Sequence, residues 1–405
     1  MSTSPATSPR VSPSNSGFDV VIAGGGVIGS AIAYFLAADA AFNGTVAVVE
    51  KDPSYATCST TLSAASIRQQ FSAAVNIAIS QFGFAFFREV GRHLAVDGTA
   101  PDIGLVERGY LFLATPPGLE TLRANHTVQR AANAPITWLD PPDLRARFPY
   151  LRTDDLAAGT YGEHGEGWYD AYSLLVAFRA KARSLGVTYL ADEVVDVARA
   201  GPRIAAVGLR QGGRIACGTL VNAAGPRAAA IAAMAGLDLP VRPRKRFVFV
   251  FDCREPPRDL PLVIDPTGAY VRPEGTHFIC GTSPPPDRDP DCLDFDVDYD
   301  LFDETLWPTL AHRIPAFEAI KLVRAWAGHY AYNTLDQNAI LGPHPDVPNL
   351  LFANGFSGHG LQQSPAVGRG IAELIAHGAY RSLDLSPLGY DRILRNDPLV
   401  ERNVV

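Results

Sequence analysis

The residues with the most specific spacing are the glycines of GGGVIG (residues 24–29), which are followed later by Glu50. This G-x-G-x-x-G spacing is typical of a loop that binds the pyrophosphate of a dinucleotide. Gly24 permits a tight turn, Gly26 lets the backbone approach the phosphates, and Gly29 lets the next helix pack on the strand. Glu50 lies 21 residues beyond Gly29, where it can accept hydrogen bonds from ribose hydroxyls and would repel a 2′-phosphate. The pattern predicts binding of FAD or NAD rather than NADP.

A second glycine cluster, GFSGHGLQQSP (residues 355–365), lies more than 300 residues further along the chain. Gly355, Gly358 and Gly360 allow the backbone to press against something flat or charged, and a helix is predicted over about 365–375. Backbone N–H groups at the start of a helix stabilise negative charge, such as that on the pyrimidine end of a reduced flavin. The alternative interpretation is a helix-capping loop whose glycines serve packing.

Both clusters need strands and helices to position them. Apolar strands are predicted at 18–23 and 45–49 with a helix at 30–38 between them, which is a dinucleotide-binding βαβ unit. A nicotinamide enzyme would continue with similar βα units, whereas this chain continues with the polar loop 58–72. The hydroxyls of this loop could bind the second phosphate and the ribityl chain of FAD. A further strand within 214–228 is predicted to close the sheet against the cofactor from the far side.

Composition argues against several classes of partner. The chain has 405 residues and a net charge of −7, which disfavours nucleic acid and acidic membranes as partners. Its five cysteines are scattered without a C-x-x-C motif, which predicts reduced thiols and a cytoplasmic protein. No apolar run of about 18 residues is present, so no membrane span is predicted. Residues 1–17 are rich in Ser and Pro and are predicted to form a disordered tail.

Six segments occur in an order that resembles the flavin amine oxidoreductases of the D-amino-acid oxidase superfamily. They are GGGVIG…VVEK, STTLSAASIR, VNAAG, GAYVRPEG, WAG…TLDQNAILGP and GFSGHGLQQSP. That superfamily includes sarcosine oxidase, glycine oxidase and dimethylglycine dehydrogenase. The segments SAASIRQQFS, RKRFVFVFDC and AGHYAYNTLDQNAILGPHP are most similar to one branch, that of the FAD-dependent oxidoreductase-domain protein linked to mitochondrial complex I assembly. The resemblance covers nearly the whole chain, from about residue 18 to 387.

The resemblance implies an α/β plus β fold, in which a discontinuous, Rossmann-like FAD-binding domain joins a substrate domain with a mainly antiparallel sheet. The expected bounds are 18–105, 156–235 and 325–385 for the FAD-binding domain, 106–155 and 236–324 for the substrate domain, and 386–405 for a C-terminal tail. β-type runs separated by Pro and Gly turns within 236–324 agree with this division. The acidic, proline-rich segment 283–307 is interpreted as a solvated excursion rather than a metal site.

The motifs and the resemblance together predict that the cofactor is non-covalent FAD. Monomeric sarcosine oxidase attaches its flavin through a cysteine, but the aligned residue here is His329 and no cysteine lies near it in the sequence. The predicted cofactor-binding residues are Gly24, Gly26, Val27, Ile28, Gly29, Glu50, Lys51, Ser59, Thr60, Ser63, Val194, Ala224, Gly225, Gly355, Gly358, His359, Gly360, Leu361 and Gln362.

Two residues resemble substrate-binding residues of the relatives, and a third charged residue is a further candidate. Arg68 matches the arginine that pairs with the substrate carboxylate, and its planar fork suits a carboxylate; a structural salt bridge is the alternative. Tyr270 falls where relatives place an active-site tyrosine, although it could be a packed aromatic of the sheet. Arg246 could meet a distal acidic group of the substrate, or it could lie on a solvated strand edge.

Two positive charges found in relatives are absent. Tyr330 stands where glycine oxidase has a carboxylate-binding arginine, and Gln362 stands where sarcosine oxidase has a lysine. Either Arg68 anchors a carboxylate with neutral helpers, or the substrate differs. His329, Tyr330 and Gln362 therefore join Arg68 and Tyr270 as the predicted catalytic set.

Histidines and aromatic residues complete the expected pocket. His329 and His359 could titrate near neutrality beside the flavin, and a purely structural role is the alternative for each. Trp326 and Tyr332 are expected to form a partly aromatic pocket together with the two tyrosines of the catalytic set.

The function implied is oxidation of a secondary amine or an N-substituted amino acid. The carbon next to nitrogen would transfer a hydride to flavin N5, and the resulting imine would hydrolyse. The electron acceptor would be O2 or a respiratory carrier. The alternative is an FAD-containing assembly or scaffold protein with little or no amine oxidation activity; an NAD-dependent dehydrogenase is the second alternative.

Overall fold

The computed structural model describes residues 17–402, so residues 1–16 of the predicted disordered tail lie outside the described part. Within that part, the chain contains α-helices and β-strands. The helices are α1 (Val27–Ala38), α2 (Ala74–Arg88), α3 (Val90–His93), α4 (Leu119–Ala131), α5 (Pro141–Arg147), α6 (Ala171–Ser184), α7 (Ala228–Met234), α8 (Trp307–Arg313), α9 (Gly360–His377) and α10 (Asp391–Arg395). The strands are β1 (Phe18–Ala23), β2 (Val46–Glu50), β3 (Ser66–Ile67), β4 (Tyr110–Ala114), β5 (Ile136–Leu139), β6 (Ala158–Gly162), β7 (Gly167–Trp168), β8 (Thr188–Ala191), β9 (Val194–Ala200), β10 (Arg203–Leu209), β11 (Arg214–Asn222), β12 (Val241–Cys253), β13 (Leu262–Ile264), β14 (Tyr270–Glu274), β15 (His277–Gly281), β16 (Ile320–Asn333), β17 (Ile340–His344) and β18 (Val347–Asn354).

The first large sheet has the order β17-β18-β11-β1-β2-β8, and all of these strands except β17 run parallel. Both faces of the sheet are covered, which explains why β1 is a continuous apolar run. Val20 and Ile22 pack with α1, α6 and α9, whereas Val21 and Ala23 pack with α7 and the β9–β10 hairpin. This is the Rossmann-like sheet that the sequence predicted.

The second large sheet has the order β16-β12-β15-β14-β13-β4-β6-β5. Its neighbouring strands are antiparallel except for β13 and β4. Phe249 and Phe251 of β12 are fully buried against the π-helical turn Leu301–Leu306, α8 and Phe317. The mainly antiparallel second sheet agrees with the predicted substrate domain.

Two strands lie in a different sheet from the one that the expected domain bounds gave them. β6 pairs with β4 and β5 of the second sheet, although the bound at 156 placed it in the FAD-binding domain. β16 pairs with β12 along its whole length, from Val241↔Asn333 to Cys253↔Ile320, so the second sheet continues past the bound at 325, where the FAD-binding domain was expected to resume. The expected bounds missed this because an alternating apolar pattern shows that a strand exists but does not identify its partner.

Helix α9 begins at Gly360, five residues before the predicted start, and it contains Pro365. Proline has no N–H to donate to the carbonyl four residues earlier, here that of Leu361. The hydroxyl of Ser364 donates to this carbonyl instead, at 2.9 Å. The helix therefore tolerates the proline, and its start coincides with the second glycine cluster.

The segment expected to be a C-terminal tail is packed as far as residue 402. The Arg392 Nε donates to Asp336 at 2.7 Å. The Glu401 carboxylate accepts from the backbone N–H of Ser72 and Ala73, where α2 begins. Among the described helices, none combines the length and apolar character needed to cross a bilayer.

Candidate functional site

One cavity of about 480 Å³ is lined by residues from both large sheets. From the first sheet it receives the ends of β1 and β2, together with the loops that follow β1, β2 and β11. From the second sheet it receives side chains of β12, β13, β14 and β16. Both glycine clusters lie in its wall, although they are remote in sequence.

The first glycine cluster forms a turn that larger side chains would block. Gly24 has φ +102°, and a Cβ there would lie 2.4 Å from the Ala223 carbonyl oxygen. A Cβ on Gly29 would lie 1.9 Å from the Gly24 oxygen, so this glycine serves the packing of α1 on β1 and does not line the cavity. Gly26 does line it, and its open side leaves a Cβ 3.4 Å from Thr60. The turn therefore offers bare backbone where the sequence predicted a pyrophosphate.

Glu50 is held in place by the turn that it faces. Its two carboxylate oxygens accept hydrogen bonds from the backbone N–H of Gly25 at 2.7 Å and of Asp52 at 2.9 Å. Thr60 Oγ1 accepts from the Val27 N–H at 3.1 Å, at the first residue of α1. A bare glycine turn and a helix N-terminus supply N–H donors, and a fixed carboxylate at a strand end supplies acceptors; together these groups fit a dinucleotide.

The second glycine cluster meets a protein aromatic ring as well as the cavity. Gly358 has φ +95°, and a Cβ there would lie 2.4 Å from the ring of Tyr330. Gly360 begins α9 and faces the ring of Phe356. Gly355 has φ +70° and does not line the cavity. Part of the glycine requirement that we assigned to a flavin therefore comes from Tyr330.

Every predicted cofactor-binding residue other than Gly29 and Gly355 lines the cavity. The predicted catalytic residues line it too: Arg68, Tyr270, His329, Tyr330 and Gln362. Trp326 and Tyr332 do not belong to the lining in the described part of the chain. The Trp326 indole instead donates to the Leu62 carbonyl at 2.9 Å.

Arg68 brings a positive charge into the cavity wall. The side chain is buried, with its guanidinium carbon 4.0 Å from the centre of the Phe71 ring. The guanidinium donates to the Gln70 carbonyl oxygen, and to His359 Nε2 at 3.0 Å. Gln362 Oε1 accepts the Arg68 backbone N–H at 3.0 Å. Gln362 thus fixes the loop that carries Arg68, a role that its alignment with a lysine did not suggest.

His359 is a neutral acceptor rather than a group that titrates near neutrality. Arginine can only donate, so the Nε2 that faces Arg68 carries a lone pair. Burial, reinforced by the Arg68 charge, lowers the pKa of His359 well below its usual value. The proton of its neutral ring is therefore on Nδ1.

His329 points toward the acidic segment. Its Nε2 donates to the Asp294 carbonyl oxygen at 2.8 Å, and its ring meets Phe295 edge-on. Burial lowers the pKa of His329 below its usual value. Neutral imidazole is therefore the form of both cavity histidines near pH 7.

Three tyrosines surround the Arg68 side of the cavity, and sequence reasoning missed one of them. Tyr110 of β4 lines the cavity, and its hydroxyl donates to Ser66 Oγ at 2.5 Å. Burial raises the pKa of Tyr110 to about 12. Burial also raises the pKa of Tyr270 and of Tyr330, so all three phenols are neutral. Tyr110 lies in the run YLFLA, which has the pattern of an ordinary core strand.

Arg246 lines the cavity, but a protein carboxylate already occupies its fork. Its two terminal nitrogens donate to the two carboxylate oxygens of Asp289 at 2.7 and 3.0 Å. The neighbouring Lys245 pairs with Asp294 at 2.6 Å. Both earlier interpretations of Arg246 are therefore corrected, because it is neither ready for a distal substrate acid nor on a solvated edge.

The acidic segment is largely exposed to solvent, as predicted, and two of its residues also form part of the cavity wall. Its apolar residues Leu293 and Phe295 line the cavity, and each keeps 42% of its surface exposed to solvent. Its acids alternate with these apolar residues and pair with the basic stretch of β12. In the described residues no group of acids, histidines or cysteines is arranged to hold a metal ion.

One cysteine lies nearer the site than the sequence suggested. Cys58 lines the cavity, and its thiol lies 3.3 Å from Thr61 Oγ1. The adjacent Ser59 donates to the His329 carbonyl oxygen at 2.6 Å, so the two regions meet in space. Burial raises the pKa of the Cys58 thiol, which disfavours the reactive thiolate. Non-covalent attachment therefore stays a prediction.

Known proteins resemble this chain over nearly its whole length. Residues 19–374 match the family described as FAD dependent oxidoreductase (DAO). The chain is 43% identical to FAD-dependent oxidoreductase domain-containing protein 1 of Xenopus laevis, over 96% of this chain and 85% of that protein. It is 30% identical to glycine oxidase of Geobacillus kaustophilus, over 93% of this chain and 97% of the relative. The solved structure of L-proline dehydrogenase from P. horikoshii matches with a TM-score of 0.83 at 26% identity, over 94% of this chain and 98% of that one.

Proposed function

The chain belongs to the FAD dependent oxidoreductase (DAO) family, and we propose that it oxidises an amino acid whose nitrogen is secondary or N-substituted. FAD is its cofactor, as the sequence predicted, and the chain is an enzyme of the oxidoreductase class. The proposal concerns the substrate, which would bind in the cavity with its carboxylate paired to Arg68.

The observation that carries the proposal is the Arg68 guanidinium in the cavity wall. Burial lowers the pKa of Arg68, yet an arginine keeps its charge in proteins. A planar fork in a water-poor cavity recognises a carboxylate with charge-assisted, bidentate hydrogen bonds. The loop that carries Arg68 is fixed from the α9 side by Gln362 and His359. The guanidinium is thus oriented before a substrate arrives.

The rest of the cavity suits an uncharged amine beside that carboxylate. Val248, Leu262 and Ile264 supply apolar surface, and the neutral phenols of Tyr110 and Tyr270 supply weak polarity. Desolvation in such a site lowers the pKa of an amine and favours its neutral form, so no dedicated base is required. When bound, FAD supplies the electron sink that accepts hydride from the carbon next to nitrogen.

Two relatives support an amino acid substrate. One is called glycine oxidase and the other L-proline dehydrogenase, and both names denote amino acids with a carboxylate one carbon from nitrogen. Oxidation at that carbon gives an imine that water hydrolyses. We propose O2 or a respiratory carrier as the acceptor, which makes the enzyme an oxidase or a dehydrogenase respectively.

The test is anaerobic reduction of the bound flavin by a panel of glycine, N-methylglycine, N,N-dimethylglycine, proline and N-methylalanine. We expect the flavin absorbance of the purified protein to bleach with at least one N-substituted member, and faster than with glycine. A flavin that dithionite reduces but no member of the panel bleaches would contradict the proposal. That outcome would favour the alternative of an FAD-containing assembly or scaffold protein.

A further inference from the structure

We infer that Glu166 is a positioning residue that holds the Arg68 guanidinium in the cavity through Gln70. Glu166 lies in the turn before β7, which pairs with β3, the strand that leads into Arg68. It does not line the cavity, and it is fully buried. The inference rests on the proposed function, because it assumes that Arg68 binds the substrate carboxylate.

The Glu166 carboxylate binds the two residues that follow Arg68. It accepts hydrogen bonds from the N–H of Gln69 at 2.5 Å and of Gln70 at 3.1 Å, and from Gln70 Nε2 at 2.8 Å. A neutral side chain with a single acceptor oxygen has fewer lone pairs for these three donors. The chain leaves room for the carboxylate at Gly162, where a Cβ would lie 2.2 Å from Glu166 Oε2. These contacts describe a site built for an anion.

Gln70 transmits this arrangement to the cavity. Its backbone carbonyl accepts a hydrogen bond from the Arg68 guanidinium. Its side-chain oxygen accepts from Thr160 Oγ1 at 2.7 Å, and its side-chain nitrogen also donates to the Tyr110 carbonyl at 3.0 Å. Glu166 accepts hydrogen bonds from both the backbone and the side chain of Gln70. The Gln70 carbonyl, which orients Arg68, therefore has little freedom to rotate.

The protonation state of Glu166 should therefore affect carboxylate binding. Burial raises the pKa of Glu166 to about 8, although its N–H donors and the Arg68 charge act in the opposite direction. The other titratable groups that face it are Tyr110 of β4 and Tyr161 of β6, and burial raises the pKa of both phenols. Above pH 8 the ionised carboxylate accepts all three N–H groups. Below pH 8 one of its oxygens carries a proton, so its hydrogen bonds with Gln70 weaken.

The test compares Glu166→Gln with Glu163→Gln. Glu163 is exposed and pairs with Arg147 at 2.8 Å, so its variant removes a nearby carboxylate without touching Gln70. The probe is pyrrole-2-carboxylate, which does not titrate between pH 7 and 9; its binding is read from the absorbance of the bound flavin. This readout does not depend on amine oxidation.

For the wild type and for Glu163→Gln we expect the dissociation constant of the probe to fall as pH rises from 7 to 9. For Glu166→Gln we expect a pH-independent constant that is about tenfold weaker than the wild-type value at pH 9, with unchanged flavin content. A Glu166→Gln protein with the wild-type constant and the wild-type pH dependence overturns the inference.

Two further outcomes are distinguishable. If Glu166→Gln does not retain flavin, Glu166→Asp is measured instead; it keeps the charge, so pH-dependent binding supports the inference and pH-independent binding overturns it. If the wild-type protein binds no pyrrole-2-carboxylate, the Arg68 anchor itself fails, and with it the proposed function and this inference. If the wild-type protein binds the probe and the Glu166 variants bind it with the same affinity and pH dependence, only the role of Glu166 is overturned.

Discussion

Replacing Arg68 with lysine should weaken substrate binding while the protein keeps its flavin. Lysine preserves the positive charge, but it cannot donate two parallel hydrogen bonds to one carboxylate. It also leaves the Gln70 carbonyl and His359 without the donors that they now share. The expected result is a raised apparent dissociation constant for the amino acid and a smaller fall in the limiting rate of flavin reduction.

The magnitude follows from the number of hydrogen bonds lost. A hydrogen bond to a charged group contributes about 1.5–3 kcal/mol. Loss of one of the two bonds to the carboxylate therefore weakens binding roughly 10- to 150-fold, at about 1.4 kcal/mol per tenfold. Complete removal of the charge, as in Arg68→Ala, costs about 2–5 kcal/mol, or roughly 30- to 5000-fold.

The assay is anaerobic stopped-flow reduction with the amino acid that bleaches the wild-type flavin fastest. Arg272→Lys is the matched control, since Arg272 is also buried, lies 5.3 Å from an aromatic ring centre and donates to a backbone carbonyl, but does not line the cavity. We expect the control to reduce its flavin with near wild-type affinity. Equal affinities for Arg68→Lys and the wild type would refute the assignment of Arg68 as the anchor.

Three other predictions concern the cofactor. Glu50→Arg should lower the flavin-to-protein ratio of the purified protein, because it replaces an acceptor of ribose hydroxyls and of the Gly25 N–H by a donor; a wild-type ratio would contradict the assignment of Glu50. Gly26→Ala should yield folded protein with little flavin, since the new methyl group would make only an ordinary contact with Thr60 at 3.4 Å but would meet a bound phosphate, whereas Gly29→Ala should lower the melting temperature, since its Cβ would collide with backbone; similar melting temperatures would refute this distinction. Acid precipitation should release yellow FAD into the supernatant, and colour in the pellet would instead point to covalent attachment through His329 or Cys58.

The parts of the site that could be predicted from the sequence are those made by local backbone geometry. The spacing of the first glycine cluster and the acid at the end of β2 give a nucleotide turn without knowledge of any distant contact. The parallel sheet could also be predicted, because its short apolar strands are visible in the local sequence. Predictions from the resemblance, such as Arg68 and Tyr270 in one cavity, depended on sequence motifs that this chain shares with the relatives.

The missed features depend on pairs of residues far apart in sequence. Arg246 reads as a surface charge until Asp289 is seen across the strand edge. Glu166 has no local signal, because its three donors lie almost a hundred residues earlier. The role of Gln362 was predicted from its alignment with a lysine of sarcosine oxidase, whereas the structure shows that its side chain accepts a hydrogen bond from the Arg68 backbone. Such pairings are set by which strands meet, and periodicity does not encode that choice.

The measurement that tests the central claim most directly is anaerobic flavin reduction by one amino acid and by its methyl ester. The ester keeps the carbon and nitrogen that would be oxidised, but it removes the negative charge that we assign to Arg68. We predict that the acid bleaches the flavin and that the ester needs at least a hundredfold higher concentration for the same rate, about 2.7 kcal/mol of lost pairing. Equal reduction by acid and ester, or reduction by neither under conditions where dithionite bleaches the flavin, would contradict the account.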